Sequence, residues 1–398
     1  MNIAIIGAGL AGANAAEELR RRGHDGDIIL VGAESHPPYE RPPLSKDVLL
    51  GSATVEDAQV HEPAWFAEQR IELITGQRVT DLDPASRTFS VDGRQIAYDR
   101  LLLATGATSR HLAVVDDSGA PVAYLRTREE SEALKARLGG ALLIVGAGWI
   151  GLEVASAARQ AGGTVTVVEN AALPLAAALG EEMATVFADL HREHGVDLRT
   201  DTSLESIEHD ATGTRVVLSD GDTLQPDLVL VAIGAQPETA LAQAAGLDVD
   251  GGVLVDGRLC TSDPHIYAAG DVANHDHPTL GRLRVEHWDN AIHQGRHAAA
   301  SMLGGQDAYD RQPFFFTDQY DLGMEYVGHF GPQGYEEVVV RGDRGTRVLN
   351  ALYISGGRVV AGMHTNDWDA TDHLRALLGR EATDAVRDTA VPLADAAG

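Results

Sequence analysis

The sequence predicts an α/β protein with two similar dinucleotide-binding domains and a small C-terminal α+β domain. Three observations carry this expectation. A short apolar run near the start leads into a glycine-rich turn and an alanine-rich segment. The same pattern returns at residue 141. Beyond residue 311, strand-like runs and a last helix suit a small α+β domain.

The first unit opens with "NIAIIGAGLAGANAAEEL". Residues 2–6 suit a strand buried on both faces, and a helix should follow the glycines. Gly7, Gly9 and Gly12 form G-x-G-x-x-G. Gly7 permits the tight turn, Gly9 lets the backbone approach a pyrophosphate, and Gly12 lets helix and strand pack closely. "DIILVGAE" reads as the next strand and ends at Glu34, near the ~20-residue spacing of an acid that holds a ribose hydroxyl.

The second unit is "ALLIVGAGWIGLEVASAARQAGGTVTVVEN". Gly146, Gly148 and Gly151 repeat the fingerprint, and Glu169 ends the following strand. One such glycine pattern is weak evidence. Two, each set between strand and helix and each followed by an acid, imply two dinucleotide sites and make FAD and NAD(P)H the natural pair. A carboxylate at Glu169 accepts from a 2′-hydroxyl and repels a 2′-phosphate, and no Arg or Lys follows before Arg192. NADH is therefore expected.

Three further segments, "YDRLLLATGA", "PDLVLVAIGAQPE" and "HIYAAGDVA", read as strands running into glycine turns. Asp271 in the last is suited to accept hydrogen bonds from a ribityl hydroxyl, with a helix after it pointing its N-terminus at a flavin. The expected domains are 1–110 with 240–310 for FAD, 111–239 for NAD, and 311–398 at the C-terminus. That last part should hold strands in "VVVRGD" and "RVLNALYISGGRVVAGMH" and a helix near 369–379.

Composition narrows the function. Hydrophobic residues make up 44% and charged residues 23%, values of a globular chain, and the net charge of −28 disfavours nucleic acid and anionic membranes. A single cysteine, Cys260, permits neither an intrachain disulfide nor a Cys-x-x-Cys pair, and is expected in the core. The N-terminus has no signal-peptide pattern and the apolar runs are short, so a cytoplasmic protein with no membrane span is expected. "HQGRH" could set His293 and His297 on one helix face, but it lacks the acid of H-E-x-x-H, so no metal site is expected. "HREH" (191–194) and "HDH" (275–277) read as exposed polar positions.

In order along the chain, "GAGLAG", "YERPPLSK", "LLLATGA", "GAGWIGLEVA", "IYAAGDVA", "VEHWDNAIHQG" and "FFFTDQYD" resemble the flavoprotein reductases of the pyridine nucleotide–disulfide oxidoreductase superfamily. The closest likeness is to the ferredoxin reductase branch, of the putidaredoxin reductase type, that serves cytochrome P450 and ring-hydroxylating dioxygenase systems. The resemblance implies FAD and NADH as cofactors. It implies hydride transfer to the flavin and single-electron delivery to a 2Fe-2S or 3Fe-4S ferredoxin. It places Lys46, one of only two lysines, at the flavin N5 edge and pairs it with Glu153, which would also contact the nicotinamide carboxamide. Trp149 would shield the nicotinamide site or pack on a helix. Trp288 would stand at a helix start by the flavin pyrimidine edge. Arg41, Pro43, Ala104, Thr105, Gly106, Ile150 and Gly234 complete the implied cofactor contacts.

Two departures stand out. Phe316 occupies a position where the family commonly has Trp, and the arginines common after the NAD acid are missing. Arg282 and Arg284 are the first candidates for meeting an acidic ferredoxin. A flavin-dependent NADH oxidase or quinone reductase, and an NADH-sensing redox flavoprotein, are the competing readings. Monomer and homodimer both remain open.

Overall fold

The computed structural model describes residues 1–331 and 334–397. The chain forms two compact units. One comprises 1–40, 56–108 and 236–315; the other comprises 41–55, 109–235 and 316–398. The stretch carrying Lys46 thus belongs to the second unit, although it lies between segments of the first.

The first unit is centred on a five-stranded parallel sheet, in the order Ile266–Ala268, Arg100–Leu103, Ile3–Ile6, Ile28–Val31, Ile71–Ile74. Ile3–Ile6 is fully buried, as a central parallel strand with both faces covered must be. Helix Leu10–Arg21 packs against helix Trp288–Met302. Gly295 permits this approach, because a Cβ there would lie 2.2 Å from the Ala11 carbonyl oxygen. Two three-stranded sheets complete the unit: an antiparallel one over residues 81–97 and a mixed one over 253–284.

The second unit repeats the parallel design, in the order Asp197–Arg199, Thr164–Val168, Ala141–Val145, Leu228–Val231, Val122–Ala123. Helix Trp149–Gln160 follows the central strand, and helix Ala176–Glu193, broken at Gly180, packs near it. The C-terminal part is a five-stranded sheet in the order Phe314–Gln319, Leu322–Gly328, Arg358–Thr365, Val348–Ser355, Glu337–Asp343. Gly356 and Gly357, both at positive φ, make the two-residue turn that joins its long hairpin. Helix Ala370–Leu377 covers this sheet with one apolar face.

Three sequence expectations fail locally. Asp271 is not followed by a helix. It sits in a single 3₁₀ turn, Gly270–Val272, and a hairpin of strands Ala273–His277 and Gly281–Arg284 intervenes before the helix at Trp288. Alternation decides this: Ala273, His275 and His277 point inward and the residues between them outward, which is the period of a strand. The "HDH" histidines are therefore buried, at 1% and 2% exposure, not exposed. His191 of "HREH" is also fully buried, because it lies on the inner face of helix Ala176–Glu193. Cys260 is buried.

Candidate functional site

The two glycine turns are built alike, and each glycine has a separate physical reason. Gly7 has φ +116°, and a Cβ would lie 2.0 Å from the Ala104 carbonyl oxygen; Gly146 has φ +102°, with the Ala232 oxygen at 2.5 Å. At Gly12 and Gly151 a Cβ would run into the carbonyl oxygen of Gly7 or Gly146, at 2.0 and 2.2 Å. The middle glycines differ in kind. A Cβ on Gly9 would meet nothing within 4 Å, and one on Gly148 only the Ala232 oxygen at 3.9 Å. That open space lies at the N-terminus of helices Leu10–Arg21 and Trp149–Gln160, neither of which has a side-chain cap. Unsatisfied helix N–H groups beside an open glycine cradle fit a pyrophosphate at each turn.

The two acids are held differently. Glu34 accepts a hydrogen bond from the Tyr39 hydroxyl. Glu169 accepts from two backbone amides, Ala147 N at 2.7 Å and Ala171 N at 2.9 Å. Both of its oxygens are thereby aimed and keep lone pairs free for a ribose hydroxyl. Gly146, Gly148, Glu169 and Gly234 line one cleft of about 500 Å³, together with Leu112, Asn170, Thr202 and Ile233. Arg199, on the neighbouring strand, is tied to Asp197 and Asp222 at 2.8 and 2.7 Å.

A buried polar constellation of the second unit surrounds Glu153. This carboxylate is 5% exposed. Its Oε1 accepts from Lys46 Nζ at 2.7 Å and from Thr317 Oγ1 at 2.6 Å, and its Oε2 accepts from Ser45 Oγ. Lys46 itself is largely covered, with 13% of its side chain exposed. Its Nζ stands 5.4 Å from the Phe316 ring centroid, within cation–π range. The local fold brings it there. Pro42 and Pro43 start a single 3₁₀ turn, Pro42–Ser45, the Ser131 hydroxyl binds the Leu44 carbonyl, and Lys46 begins the short helix Asp47–Leu50. Arg41, at the head of that turn, donates to the Arg126 carbonyl.

Trp149 meets Phe187 edge-on at 6.1 Å between ring centroids, and Ile150 beside it is exposed. In the first unit, Ala104 N bonds to the Ile6 carbonyl, Thr105 Oγ1 donates to the Glu238 carbonyl at 2.7 Å, and Gly106 takes φ +72°. The Gly270 N–H next to Asp271 is received by buried Gln294. Trp288 opens its helix behind His287. Arg284 is bonded to Glu286 and to the Asp271 carbonyl, and Arg282 to the Asn274 carbonyl. These two arginines therefore brace their own hairpin. His293 faces Asp289 and His297 faces the Asp307 carbonyl. Among the described residues no group of three or more His, Cys, Asp or Glu is placed to hold a metal ion, and no helix is long and apolar enough to cross a membrane.

Ser45, Thr317, Gln319 and His191 were missed by sequence reasoning as site residues. The only signal for them was the period-two spacing of Thr317 and Gln319, which puts both on one strand face.

Residues 1–295 match the pyridine nucleotide-disulphide oxidoreductase family and residues 314–397 the family described as Reductase C-terminal. The chain belongs to the pyridine nucleotide-disulphide oxidoreductases. It is 42% identical over 367 residues to the ferredoxin–NAD(+) reductase component of the anthranilate 1,2-dioxygenase system of Burkholderia cepacia, covering 91% of this chain and 90% of that one. It is 38% identical over 370 residues to putidaredoxin reductase of Pseudomonas putida, covering 90% and 87%. Among solved structures, the covalent putidaredoxin reductase–putidaredoxin complex superposes with a TM-score of 0.93 at 36% identity, covering 99% of this chain and 97% of that one.

Proposed function

We propose that this chain is an NADH-dependent ferredoxin reductase serving a cytochrome P450 or a ring-hydroxylating oxygenase. FAD and NADH are its cofactors; held at the two glycine turns, they would supply hydride transfer and one-electron delivery to an iron–sulfur protein. The observation that carries the reading is the buried Lys46–Glu153 pair in a chain with a single cysteine. With its one cysteine, Cys260, buried, the chain has no intrachain redox disulfide, which supports electrons leaving the flavin without one. The relatives named above support an iron–sulfur protein as the acceptor.

The residues have these roles in the proposal. The turn of Gly7, Gly9 and Gly12 holds the FAD pyrophosphate, with Glu34 at its ribose. The turn of Gly146, Gly148 and Gly151 holds that of NADH, with Glu169 at its ribose. Ala104, Thr105, Gly106, Asp271 and Trp288 contact FAD, as do Arg41 and Pro43, while Trp149, Ile150 and Gly234 contact NADH. Lys46 supplies a compact positive charge for the reduced flavin, and Glu153 holds that ammonium while the flavin is oxidised. The functional boundaries are 1–110 with 240–310, 111–239, and 311–398. A cytoplasmic location, where NADH is made, belongs to the same reading.

The test is anaerobic reduction of the purified yellow protein, then turnover with a panel of ferredoxins. The expected result is a kcat/KM for NADH about 100-fold above that for NADPH, from the charge conflict at Glu169. Ferredoxin should be reduced far faster than oxygen or quinone. Rapid NADH consumption with no protein acceptor would instead make the chain an NADH oxidase.

A further inference from the structure

Beyond Lys46 and Ser45, Glu153 is the end of a longer chain of hydrogen bonds. Thr317 Oγ1 donates to Glu153 Oε1 at 2.6 Å. Thr317 in turn receives Gln319 Nε2 at 3.1 Å. The carbonyl oxygen of Gln319 faces His191 Nε2 at 2.8 Å. All three side chains are at or below 1% exposure. The directions are fixed by chemistry. A carboxylate paired with Lys46 only accepts, so the Thr317 hydroxyl must donate to it. The hydroxyl then accepts from the amide nitrogen of Gln319, whose oxygen is left to accept from His191. His191 must therefore carry its proton on Nε2. Burial pushes its pKa down to about 4, which keeps the ring neutral, and its Nδ1 has no partner among the described residues.

We propose that Thr317, Gln319 and His191 form a one-directional relay that positions Glu153 against Lys46. The proposal rests on the roles given above to Lys46 and Glu153. Every donor in the chain points toward the carboxylate. Glu153 Oε1 thus receives two donors from different elements, Lys46 at the head of one short helix and Thr317 on a C-terminal strand. A carboxylate held at three points cannot swing away from the ammonium. Thr317, Gln319 and His191 are positioning residues: they act on the site only through Glu153.

The chain offers a direct readout, because Lys46 and the exposed Lys135 are its only lysines. The holoenzyme is treated with a limiting amount of an amine-acylating reagent, and the Lys46:Lys135 labelling ratio is read by peptide mass spectrometry. Lys135 serves as the internal standard. Glu153→Gln should raise the ratio about tenfold, since loss of the counter-charge frees the amine. Thr317→Val and Gln319→Met, which keep the volume and remove the donors, should each raise it about three- to fivefold. Thr317→Ser, which keeps the hydroxyl, should stay within about twofold of the parent, and His191→Gln should label less than His191→Leu. In the Glu153→Gln background, Thr317→Val should add nothing. FAD content checks folding, and Gln319→Met serves alone if Thr317→Val loses its flavin. A ratio unmoved by Thr317→Val and Gln319→Met while Glu153→Gln raises it would overturn the relay. So would an additive effect of Thr317→Val in the Glu153→Gln background. An unmoved ratio in Glu153→Gln would remove the ion-pair reading itself.

Discussion

The two glycine turns make an internal control. Gly7, Gly9 and Gly12 match Gly146, Gly148 and Gly151 in backbone conformation, in the clashes a Cβ would make, and in an uncapped helix start. Two positions after the last glycine they part. In the first turn that residue is Asn14, whose side chain donates to the Leu10 carbonyl of its own helix at 2.9 Å. In the second it is Glu153, which reaches out of its helix to Lys46, Ser45 and Thr317. The first turn keeps its charge local as well: buried Glu18 is closed off by Arg21 in the last turn of the same helix and by Arg22, which caps it. In the proposed function a shared turn provides phosphate binding, and one side chain on the following helix sets whether the unit also takes part in the chemistry.

The largest effect should come from breaking the first turn. Gly12→Ala drives a Cβ into the Gly7 carbonyl and should cost about 3 kcal/mol, giving a colourless protein by absorbance. Glu153→Gln comes next. The flavin should be retained, while its reduction by saturating NADH, followed by stopped-flow, should slow about 10- to 100-fold, a loss of about 1.4 to 2.8 kcal/mol of electrostatic support. The matching change in the first turn, Asn14→Ala, should lose about 1 kcal/mol of stability and leave the rate of flavin reduction within about twofold.

Acid should probe the buried polar groups of both units. His191 and His275 are each pushed down to about 4 by burial. Unfolding lets them bind protons at their ordinary value near 6.5. Their contribution to stability is therefore full above about pH 6.5 and is lost as the pH falls toward 4. His191→Gln and His275→Gln should each flatten the stability–pH curve in that window, measured by urea unfolding. Asp289 sits lower. Burial opposes its ionisation, but Arg311, at 2.6 Å, and His293 bring it to about 2. Its contribution persists above about pH 4 and fades only between about 4 and 2. The smallest effect belongs to Arg282→Glu with Arg284→Glu. A modest rise in ferredoxin KM with unchanged ferricyanide reduction would show a docking role, whereas equal loss in both assays would leave the arginines as hairpin braces.

The parallel sheets and both turns were legible in the sequence because their demands are local. A G-x-G-x-x-G between an apolar strand and a helix leaves few other solutions for the backbone. The C-terminal strands were legible as apolar runs, but the turn at Gly356 and Gly357 that pairs two of them came only with the fold. The partners of Glu153 were not. Thr317 is 164 positions away from it, and Gln319 is 128 positions from His191. Only the fold brings them together. The buried histidines show the same limit. "HREH" and "HDH" are polar in composition, but helix and strand period turn His191, His275 and His277 inward. Asp271 failed as a helix start because the alternation after it is that of a strand.

The central claim is that two alike turns hold two different ligands, and one measurement addresses it. Gly151→Ala places a Cβ 2.2 Å from the Gly146 carbonyl oxygen and disturbs only the second turn. Titrated anaerobically with NADH, the parent protein should lose its flavin colour in proportion to the NADH added. The variant should keep its full flavin content and stay yellow at NADH concentrations that bleach the parent. A variant that bleaches like the parent, or that sheds its flavin, would contradict the account.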